Sequence, residues 1–218
     1  MIEKGSFYKN PFIGLFLRSC DTLTLVPKNA PEKLVRQVER VLGTKTLELY
    51  VDQASILGIF ASLNDTGCVL PSFAEPEEKK RLKQAGWNVC TITERFCPGN
   101  NVLVNNKSAL VNPRLPKEDQ KTIADALNVE VFSQQVSPMP TVGSIHVVTN
   151  RGILAYNDSS EEELKLLERF FQVPAGIGTA NLGSPFISLG VVANAKGALV
   201  GSLTSGFEVQ RVYEALFA

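Results

Sequence analysis

The sequence predicts an α/β fold in which five similar units close into a ring. Three observations lead to this prediction: a hairpin-like segment recurs five times, a helix-like stretch follows each hairpin, and a third strand follows four of the helices. The 218 residues are accordingly interpreted as one domain, residues 1–218.

The hairpins set the repeat period. They cover residues 14–27, 58–71, 102–113, 144–157 and 189–201, and their last residues follow one another at intervals of 44, 42, 44 and 44. Each hairpin has two short apolar runs around a turn, whose residue types tolerate the positive φ of hairpin turns. The turn residues interpreted as equivalent are Asp21, Asn64, Asn106, Asn150 and Asn194.

An amphipathic helix is predicted after each hairpin. In the first, Leu34, Val38 and Leu42 belong to one apolar stripe, and the third, fourth and fifth stretches repeat this design. The second stretch, residues 76–85, has mainly Leu82 and Ala85 as apolar residues and is the weakest. Ser160 and Ser205 each precede a glutamate by three residues, which is the spacing of a capping box. Three prolines suit the first position of a helix: Pro31, Pro76 and Pro116. Three further residues stand where a helix would end in a left-handed conformation: Gly43, Gly86 and Asn128.

A third strand is predicted after four of the helices, at residues 46–51, 88–93, 129–136 and 173–179. No strand follows the fifth helix, whereas residues 3–9 form a spare strand near the start of the chain. We therefore expect residues 3–9 to complete the fifth unit and close the ring, which removes the sheet edges that an open array would expose. A unit of about 44 residues buries too little apolar surface to fold alone, so the five units are expected to fold together.

Composition and charge restrict the functional classes. The chain has 22 Lys and Arg residues against 22 Asp and Glu residues, so a polybasic nucleic-acid-binding arm is excluded. No apolar run approaches the roughly 20 residues that span a membrane, and charged Glu3 and Lys4 occur where a signal peptide needs an apolar run. The four cysteines form no CxxC pair. We expect a cytoplasmic protein that binds neither membrane nor DNA.

Groups that could serve catalysis, metals or cofactors are few. The single histidine, His146, is predicted to lie within a strand as a structural residue, and no Cys or His spacing indicates a metal site. The glycine-rich residues 176–184 follow a helix and precede a strand, which is the reverse of the order in a dinucleotide-binding fingerprint. We therefore expect no cofactor, no metal and no catalytic residue.

Six groups of segments carry a resemblance to a known family. They are residues 13–14, 98–100 with 106–111, 127–132, 141–144 with 149–152, 178–184 and 201–208. In this order and at these spacings, the chain resembles the translation initiation factor 6 family, the ribosome anti-association factors of archaea and eukaryotes, over essentially its whole length. Its length, without a C-terminal tail, is similar to that of the archaeal members.

The resemblance implies a pentein fold, a five-bladed α/β propeller with pseudo-fivefold symmetry. It also implies binding to the intersubunit face of the large ribosomal subunit, near ribosomal protein uL14 and the sarcin–ricin loop of the rRNA, which prevents joining of the small subunit. Such occlusion needs a rigid, preformed surface rather than catalysis. We expect a monomer whose ribosome-binding residues are loop residues of the matching motifs: Asn10, Gly14, Asn100, Ser144, Asn181, Gly183 and Ser184.

Two departures from the family pattern affect local loops. Cys97 and Pro98 stand where the family usually has Ala-Leu, and Tyr156 and Asn157 stand where it usually has His-Pro. One alternative is a guanidine-modifying hydrolase of the arginine deiminase type, which has the same fold. Those enzymes place the nucleophilic Cys after the His, whereas here the last cysteine precedes His146. Another alternative is a pentein that binds a different protein complex.

Overall fold

The strands of the computed structural model, which describes residues 1–93 and 95–218, form five three-stranded sheets. In chain order the strands are β1 (Ile2–Gly5), β2 (Arg18–Ser19), β3 (Leu23–Pro27), β4 (Lys45–Leu49), β5 (Ser62–Leu63), β6 (Gly67–Pro71), β7 (Asn88–Ile92), β8 (Val102–Val104), β9 (Ser108–Val111), β10 (Glu130–Ser133), β11 (Val147–Val148), β12 (Ile153–Ala155), β13 (Ala175–Ile177), β14 (Val191–Ala193) and β15 (Ala198–Gly201). Four sheets take three consecutive strands each, and the fifth joins β14 and β15 to β1.

Every sheet has the same pairing. In the first, β3 pairs antiparallel with β2, with Arg18 opposite Leu25, and parallel with β4, with Leu25 opposite Leu47. The other four sheets repeat this arrangement. A parallel neighbour needs a long crossover connection, which a helix supplies. The predicted order of strand, strand, helix and strand is confirmed.

The first strand of the chain completes the last sheet, as predicted. β1 runs parallel to β15, with Ile2 opposite Ala198, and the Ala198 N–H donates to the Met1 carbonyl at 3.0 Å. The strand is shorter than the predicted residues 3–9, because Tyr8 and Lys9 take positive φ values of 47° and 66° and turn the chain. The other third strands also end earlier than predicted.

Helices of two lengths connect the strands of the described residues. In chain order they are α1 (Glu32–Leu42), α2 (Leu57–Phe60), α3 (Pro76–Gln84), α4 (Pro98–Asn101), α5 (Lys117–Leu127), α6 (Val142–Ile145), α7 (Glu161–Phe171), α8 (Ile187–Gly190) and α9 (Gly206–Phe217), with a 3₁₀ helix at Ile13–Leu15. The long helices α1, α3, α5, α7 and α9 follow the hairpins, as predicted. α7, for example, buries an apolar face of Leu167, Phe170 and Phe171, whereas Leu82 is the one apolar residue that α3 buries.

Three long helices begin with a capping box, two of them predicted from the sequence and one not. Ser160 and Ser205 each accept a hydrogen bond from the N–H of the glutamate three residues on, so both predicted capping boxes are confirmed. At α3, Glu78 accepts from the Glu75 N–H at 2.8 Å. This cap was not predicted because Glu75 replaces the usual Ser or Thr. Gly86, with φ of 97°, follows the same helix.

Proline and left-handed residues mark other helix ends. Pro76 is the first residue of α3, as predicted, whereas Pro31 and Pro116 are the N-caps that precede α1 and α5. Gly43 and Asn128 end α1 and α5 with φ of 59° and 52°, which confirms the predicted helix stops.

Four of the five predicted hairpin segments begin with a helical turn rather than with a strand, whereas the third begins at Val102 with β8, as predicted. Gly14, Gly58, Ser144 and Leu189 were predicted to open strands, but they lie in one-turn helices that are separated by at most two residues from β2, β5, β11 and β14. The prediction was wrong there because a buried turn of four residues has no amphipathic pattern that separates it from an apolar strand.

Asn64 and Asn194 share one turn position with Asn105. At each of them, Oδ1 accepts hydrogen bonds from two N–H groups of its own turn, and Nδ2 donates to carbonyls of a neighbouring unit. Asn64, for example, donates to the carbonyls of Asn105 at 3.3 Å and of Leu127 at 2.9 Å. These asparagines therefore join neighbouring units as well as closing turns.

Asn106 and Asn150 lie one residue later in their turns than Asn105 and its equivalents. Asp21 and Asp65 share this second turn position. Nδ2 of Asn106 donates to Asp65 at 2.6 Å, and Nδ2 of Asn150 donates to Asp21 at 2.7 Å. The predicted equivalence of these two asparagines with Asn64 was wrong by one residue. The adjacent asparagines at positions 105 and 106 made the two alignments indistinguishable in sequence.

The apolar core is divided among the interfaces between neighbouring units. Five clusters of buried residues each combine side chains of two adjacent units. They include Leu25 with Leu70, Val69 with Ile123, Leu110 with Phe170, Leu154 with Val212, and Leu199 with Val26. The last of these joins the fifth unit to the first, and β14 likewise contacts β2.

Candidate binding face

The one-turn helices gather at one end of the molecule. The 3₁₀ helix contacts α2 and α8, α4 contacts α2 and α6, and α6 contacts α8, so the five form a closed circuit. Each directly precedes the first strand of a hairpin, which places them at the end opposite the hairpin turns. We name this surface, together with the loops that enter it, the short-helix face.

All seven residues predicted to bind a partner belong to the short-helix face. Gly14, Asn100 and Ser144 lie in the one-turn helices, and Asn10, Asn181, Gly183 and Ser184 lie in the loops that enter them. Residues far apart in sequence are thus brought to one end of the molecule. Their exposure differs, however, and so does what each can offer to a partner.

The loop of residues 181–184 is fixed by a buried carboxylate on α9. Oε1 of Glu208 accepts from the Gly183 N–H and from the Thr179 hydroxyl, both at 2.8 Å, and Oε2 accepts from the Ser205 N–H at 2.6 Å. Burial alone would raise the pKa of the Glu208 carboxyl, but these N–H donors outweigh it and lower the pKa below its usual value. Glu208 therefore holds the loop as a carboxylate at neutral pH.

The same arrangement recurs in two other units. The Glu78 carboxylate on α3 accepts from the Asp52 N–H at 2.9 Å, and Asp119 on α5 accepts from the Thr93 N–H at 3.2 Å. Each acid belongs to the first turn of a long helix and bonds to the loop that enters the short-helix face. Sequence analysis missed these contacts, because a glutamate in a first helical turn is also the ordinary signal of helix capping.

Asn181 and Asn10 use their side chains to fix backbone. Nδ2 of the buried Asn181 donates to the Pro11 carbonyl at 3.0 Å, and the Asn181 N–H donates to the Thr204 hydroxyl at 3.2 Å. Oδ1 of Asn10 accepts from the Phe12 N–H at 2.9 Å. Asn181 thus ties two loops of the face together and Asn10 fixes the turn of its own loop, while the exposed Gly183 and the half-buried Ser184 stay accessible.

Gly14 is buried and serves close packing of the one-turn helices. A Cβ atom at Gly14 would overlap the Ser188 carbonyl of α8, and one at Gly58 would overlap the Gly14 carbonyl. Gly99 and Gly143 meet the preceding helix in the same way. Gly14 can therefore take part in a contact surface only through the helix that it holds in place.

Asn100 and Ser144 differ in accessibility. Asn100 is half-buried in α4, and within the described residues its side chain makes no hydrogen bond. Ser144 is buried, and its hydroxyl donates to the Thr141 carbonyl at 2.7 Å. Asn100 can offer an amide to a partner, whereas Ser144 maintains the turn of α6.

Large apolar side chains are exposed on the same face, and sequence analysis missed them. Leu182 is 71% exposed, Tyr8 is 65% exposed and Phe186 is 41% exposed. Leu182 and Tyr8 lie in two-residue turns of positive φ, where polar residues or glycine are usual. An apolar residue within a turn is the sequence signal that could have identified them, since exposed apolar groups mark contact surfaces.

The chemistry of the thiols and of the imidazole does not indicate a nucleophile. Burial raises the pKa of Cys20 and of Cys90 to about 12, and it also raises that of Cys97. His146 is fully buried and lies directly before β11, not within a strand as predicted, and its Nδ1 accepts from the Tyr156 N–H at 3.0 Å. Its hydrogen-bond partner is thus a backbone amide.

Neither a metal cluster nor a membrane-spanning helix is present in the part of the chain outside position 94. No group of three or more His, Cys, Asp or Glu side chains there could hold a metal ion. Among the helices of these residues, none has both the length and the apolar character needed to cross a bilayer.

The sequence of the chain is similar to those of one family of known proteins. The chain is 37% identical over 220 residues to translation initiation factor 6 of Saccharolobus islandicus (strain L.S.2.15), which covers 99% of this chain and 98% of the relative. It is 37% identical over 205 residues to the Pyrobaculum aerophilum protein of that name, covering 94% and 93%, and 34% identical over 223 residues to that of Thermococcus onnurineus, covering 99% and 97%. The model of the eIF-6 family matches residues 2–215. Because that match includes all five units and every loop of the short-helix face, the chain belongs to the eIF-6 family.

Proposed function

We propose that the chain acts in translation initiation by binding the intersubunit face of the large ribosomal subunit, where it prevents the small subunit from joining. The observation that carries this proposal is the similarity, over nearly the full length, to proteins named translation initiation factor 6. The partners would be ribosomal protein uL14 and the rRNA around the sarcin–ricin loop. We extend the proposal to large-subunit maturation, to a monomer and to the cytoplasm.

The proposal includes the architecture. We infer that the five sheets are the blades of a pentein, a five-bladed α/β propeller. The contacts between consecutive first strands and the shared apolar clusters, which both return from the fifth unit to the first, support this inference. A closed circuit of packed units has few ways to deform, which suits a protein that acts by occupying space.

We assign the ribosome contact to the short-helix face. Its loops are fixed in advance by Glu208 and Asn181, so binding would cost little ordering entropy. Leu182, Tyr8 and Phe186 would supply the apolar contact, and Asn100, Gly183 and Ser184 its polar surroundings. Equal numbers of acidic and basic residues favour a contact dominated by protein, with rRNA as a neighbour.

Co-sedimentation with purified ribosomal particles tests the proposal. We expect the chain to migrate with isolated large subunits, and neither with small subunits nor with joined ribosomes. Migration with joined ribosomes, or with none of the three particles, would contradict the proposed function.

A pair of matched variants tests the assigned face. Leu182→Glu places a charge at a 71% exposed apolar site on the short-helix face, and Tyr213→Glu places the same charge at a 55% exposed site on α9. We expect Leu182→Glu to weaken binding to large subunits at least tenfold, because it charges the centre of an apolar contact, and Tyr213→Glu to leave it unchanged. Equal affinities for the two folded variants would exclude the loop of residues 181–184 from the contact.

A further inference from the structure

A groove lies on the short-helix face beside the loop that enters α4. Its volume is about 720 Å³, which falls within the range of about 300 to 1,000 Å³ that is typical of ligand pockets. The loops that form it follow the carboxyl ends of β6, β7 and β9. The described residues that line it are Ser72, Thr93, Arg95, Phe96, Arg114 and Pro116. We name it the basic groove.

Two arginines supply the charge of the basic groove. Arg95 and Arg114 are both exposed, and the described residues of the lining include no carboxylate. A guanidinium stays charged at neutral pH, and it presents its N–H donors in a planar fork that fits a phosphate group. The nearby Asp119 on α5 does not line the groove, and its carboxylate accepts from the Thr93 N–H at 3.2 Å and from the Thr93 hydroxyl at 3.0 Å.

The backbone around both arginines is held in place. The Arg114 N–H donates to Oδ1 of Asn112 at 2.9 Å, and Nδ2 of Asn112 donates to Oδ1 of Asn101 on α4 at 2.7 Å. On the other side, the Phe96 N–H donates to the Thr93 carbonyl at 3.1 Å and closes the turn that contains Arg95. A partner would therefore meet two charges on turns that are already formed, which lowers the entropy cost of binding.

An aromatic ring lies in the same groove as the two guanidinium groups. Phe96 is half-buried: it packs against the apolar cluster that contains Ile92 and Val102, and it also lines the groove. Pro116 adds apolar surface on the side of α5. Aromatic side chains within a positively charged groove are the usual platform on which unpaired bases of a nucleic acid stack.

The combination of charge and aromatic surface selects one class of partner. An acidic peptide would pair with the arginines but would leave the ring of Phe96 without a stacking partner, and the bases of a duplex stay stacked on one another. A single unpaired nucleotide carries both a phosphate and a base. We propose that the basic groove binds an unpaired nucleotide of RNA, with its phosphate between Arg95 and Arg114 and its base against Phe96.

The basic groove lies across the short-helix face from the exposed apolar side chains. Along the circuit of contacting one-turn helices, α4 is two steps from α8 and two steps from the 3₁₀ helix. The loops that enter those two helices carry Leu182 and Tyr8. An RNA contact on one side and an apolar contact on the other suit a partner made of RNA and protein. This inference rests on the proposed function, since it names the class of molecule that one part of the same face binds.

Binding of fluorescently labelled hexaadenylate RNA, measured by anisotropy at several salt concentrations, tests the proposal. Phe96→Leu should weaken binding at least about fivefold, because it keeps apolar packing but removes the stacking surface. Arg95→Gln and Arg114→Gln should each weaken binding and reduce the slope of log Kd against log salt by about 0.7. The matched controls are Arg36→Gln, at an exposed arginine of α1, and Phe217→Leu, at the far end of α9. Both controls should bind hexaadenylate like the unmodified protein.

The same variants on purified large subunits separate this inference from the proposed function. The double variant Arg95→Gln with Arg114→Gln should bind large subunits at least about tenfold more weakly than Arg36→Gln does. No hexaadenylate binding up to the millimolar range, equal affinities of the groove variants and the controls, or tighter binding of hexaglutamate peptide would each overturn the groove as an RNA site. Hexaadenylate binding that depends on the groove, in a chain that migrates with no ribosomal particle, would contradict the proposed function and leave the RNA site in place.

Discussion

His146 shows how burial changes the properties of one residue. The sequence marked it as the only histidine and as a structural one, but it could not indicate that no part of the side chain would reach solvent. Burial disfavours the charged imidazolium and lowers the pKa of His146 from 6.5 to about 4. The group is therefore neutral in the folded protein at physiological pH.

The first prediction concerns the pH dependence of stability. Between pH 6.5 and pH 4 the unfolded chain binds a proton at His146 and the folded chain does not, so stability falls as the pH is lowered through this window. The loss attributable to His146 should reach about 3 kcal/mol near pH 4. His146→Leu should make the dependence of the unfolding free energy on pH shallower, as measured by urea denaturation. Parallel curves for the variant and the parent would contradict the burial argument.

Glu208 performs two tasks that the sequence signal does not separate. It caps α9, as the spacing from Ser205 predicts, and it also accepts from the N–H of Gly183 in a loop 25 residues earlier in the chain. The capping signal is local and was visible in sequence. The contact with the loop depends on how the units pack and was not.

The second prediction separates these tasks. Glu208→Gln should accelerate amide hydrogen exchange at Gly183 at least about tenfold and weaken binding to large subunits, because a neutral amide is a poorer acceptor for the loop N–H groups. Glu163→Gln alters the capping box of α7, where Glu163 accepts from Ser160. The Glu163→Gln variant should leave amide hydrogen exchange at Gly183 unchanged. Unchanged exchange at Gly183 in Glu208→Gln would show that the carboxylate does not hold the loop.

At the scale of elements, hairpins and long helices were predictable and one-turn helices were not. Hairpins and amphipathic helices leave a periodic apolar pattern over ten or more residues. The one-turn helices are three or four residues long and pack backbone against backbone, so glycines such as Gly58 and Gly99 are the sequence signal of this packing. The sequence presented these glycines at spacings close to the repeat period, but only the structure identified the atoms that they approach.

The third prediction tests this packing. Gly58→Ala would bring a methyl group onto the Gly14 carbonyl, so the neighbouring helices must separate at a cost of about 1 to 3 kcal/mol or more. Gly206→Ala, at the first position of α9, meets nothing within 4 Å and should leave stability unchanged or slightly raised. The two changes can be compared through the midpoint of guanidinium denaturation. Similar midpoints would mean that the one-turn helices do not pack tightly.

The predicted site residues share one face of the molecule, but their structural roles differ. All seven predicted residues lie on the short-helix face, although their contribution to binding is still a prediction. Gly14 and Ser144 are buried, and the side chains of Asn10 and Asn181 hold backbone groups. The exposed Leu182 was absent from the prediction because a turn leucine has no periodic partner that reports its orientation.

At the scale of the whole molecule, stability is shared around the circuit of units. Each apolar cluster lies between two units, so none of the five has a complete core of its own. The repeat period predicted this dependence, since one unit cannot bury enough apolar surface to be stable. Loss of one interface should therefore weaken all five units together.

The fourth prediction follows from this shared core. The single tryptophan, Trp87, lies beside the second unit's turn, where its Nε1 donates to the Asn64 carbonyl at 2.9 Å. Trp87 fluorescence reports one unit, and far-UV circular dichroism reports all helices and strands. Both should give the same midpoint in guanidinium. An earlier fluorescence midpoint would show that the second unit unfolds independently.

The most direct test of the central claim is a subunit-joining assay. Separated large and small subunits are mixed with increasing amounts of the protein, and the fraction of joined ribosomes is measured by sucrose-gradient sedimentation. We predict that joined ribosomes decrease in proportion to the large subunits that carry the protein, and that Leu182→Glu loses this effect while Tyr213→Glu keeps it. An undiminished fraction of joined ribosomes, at concentrations where every large subunit carries the protein, would contradict the claim that it acts by occluding the small subunit.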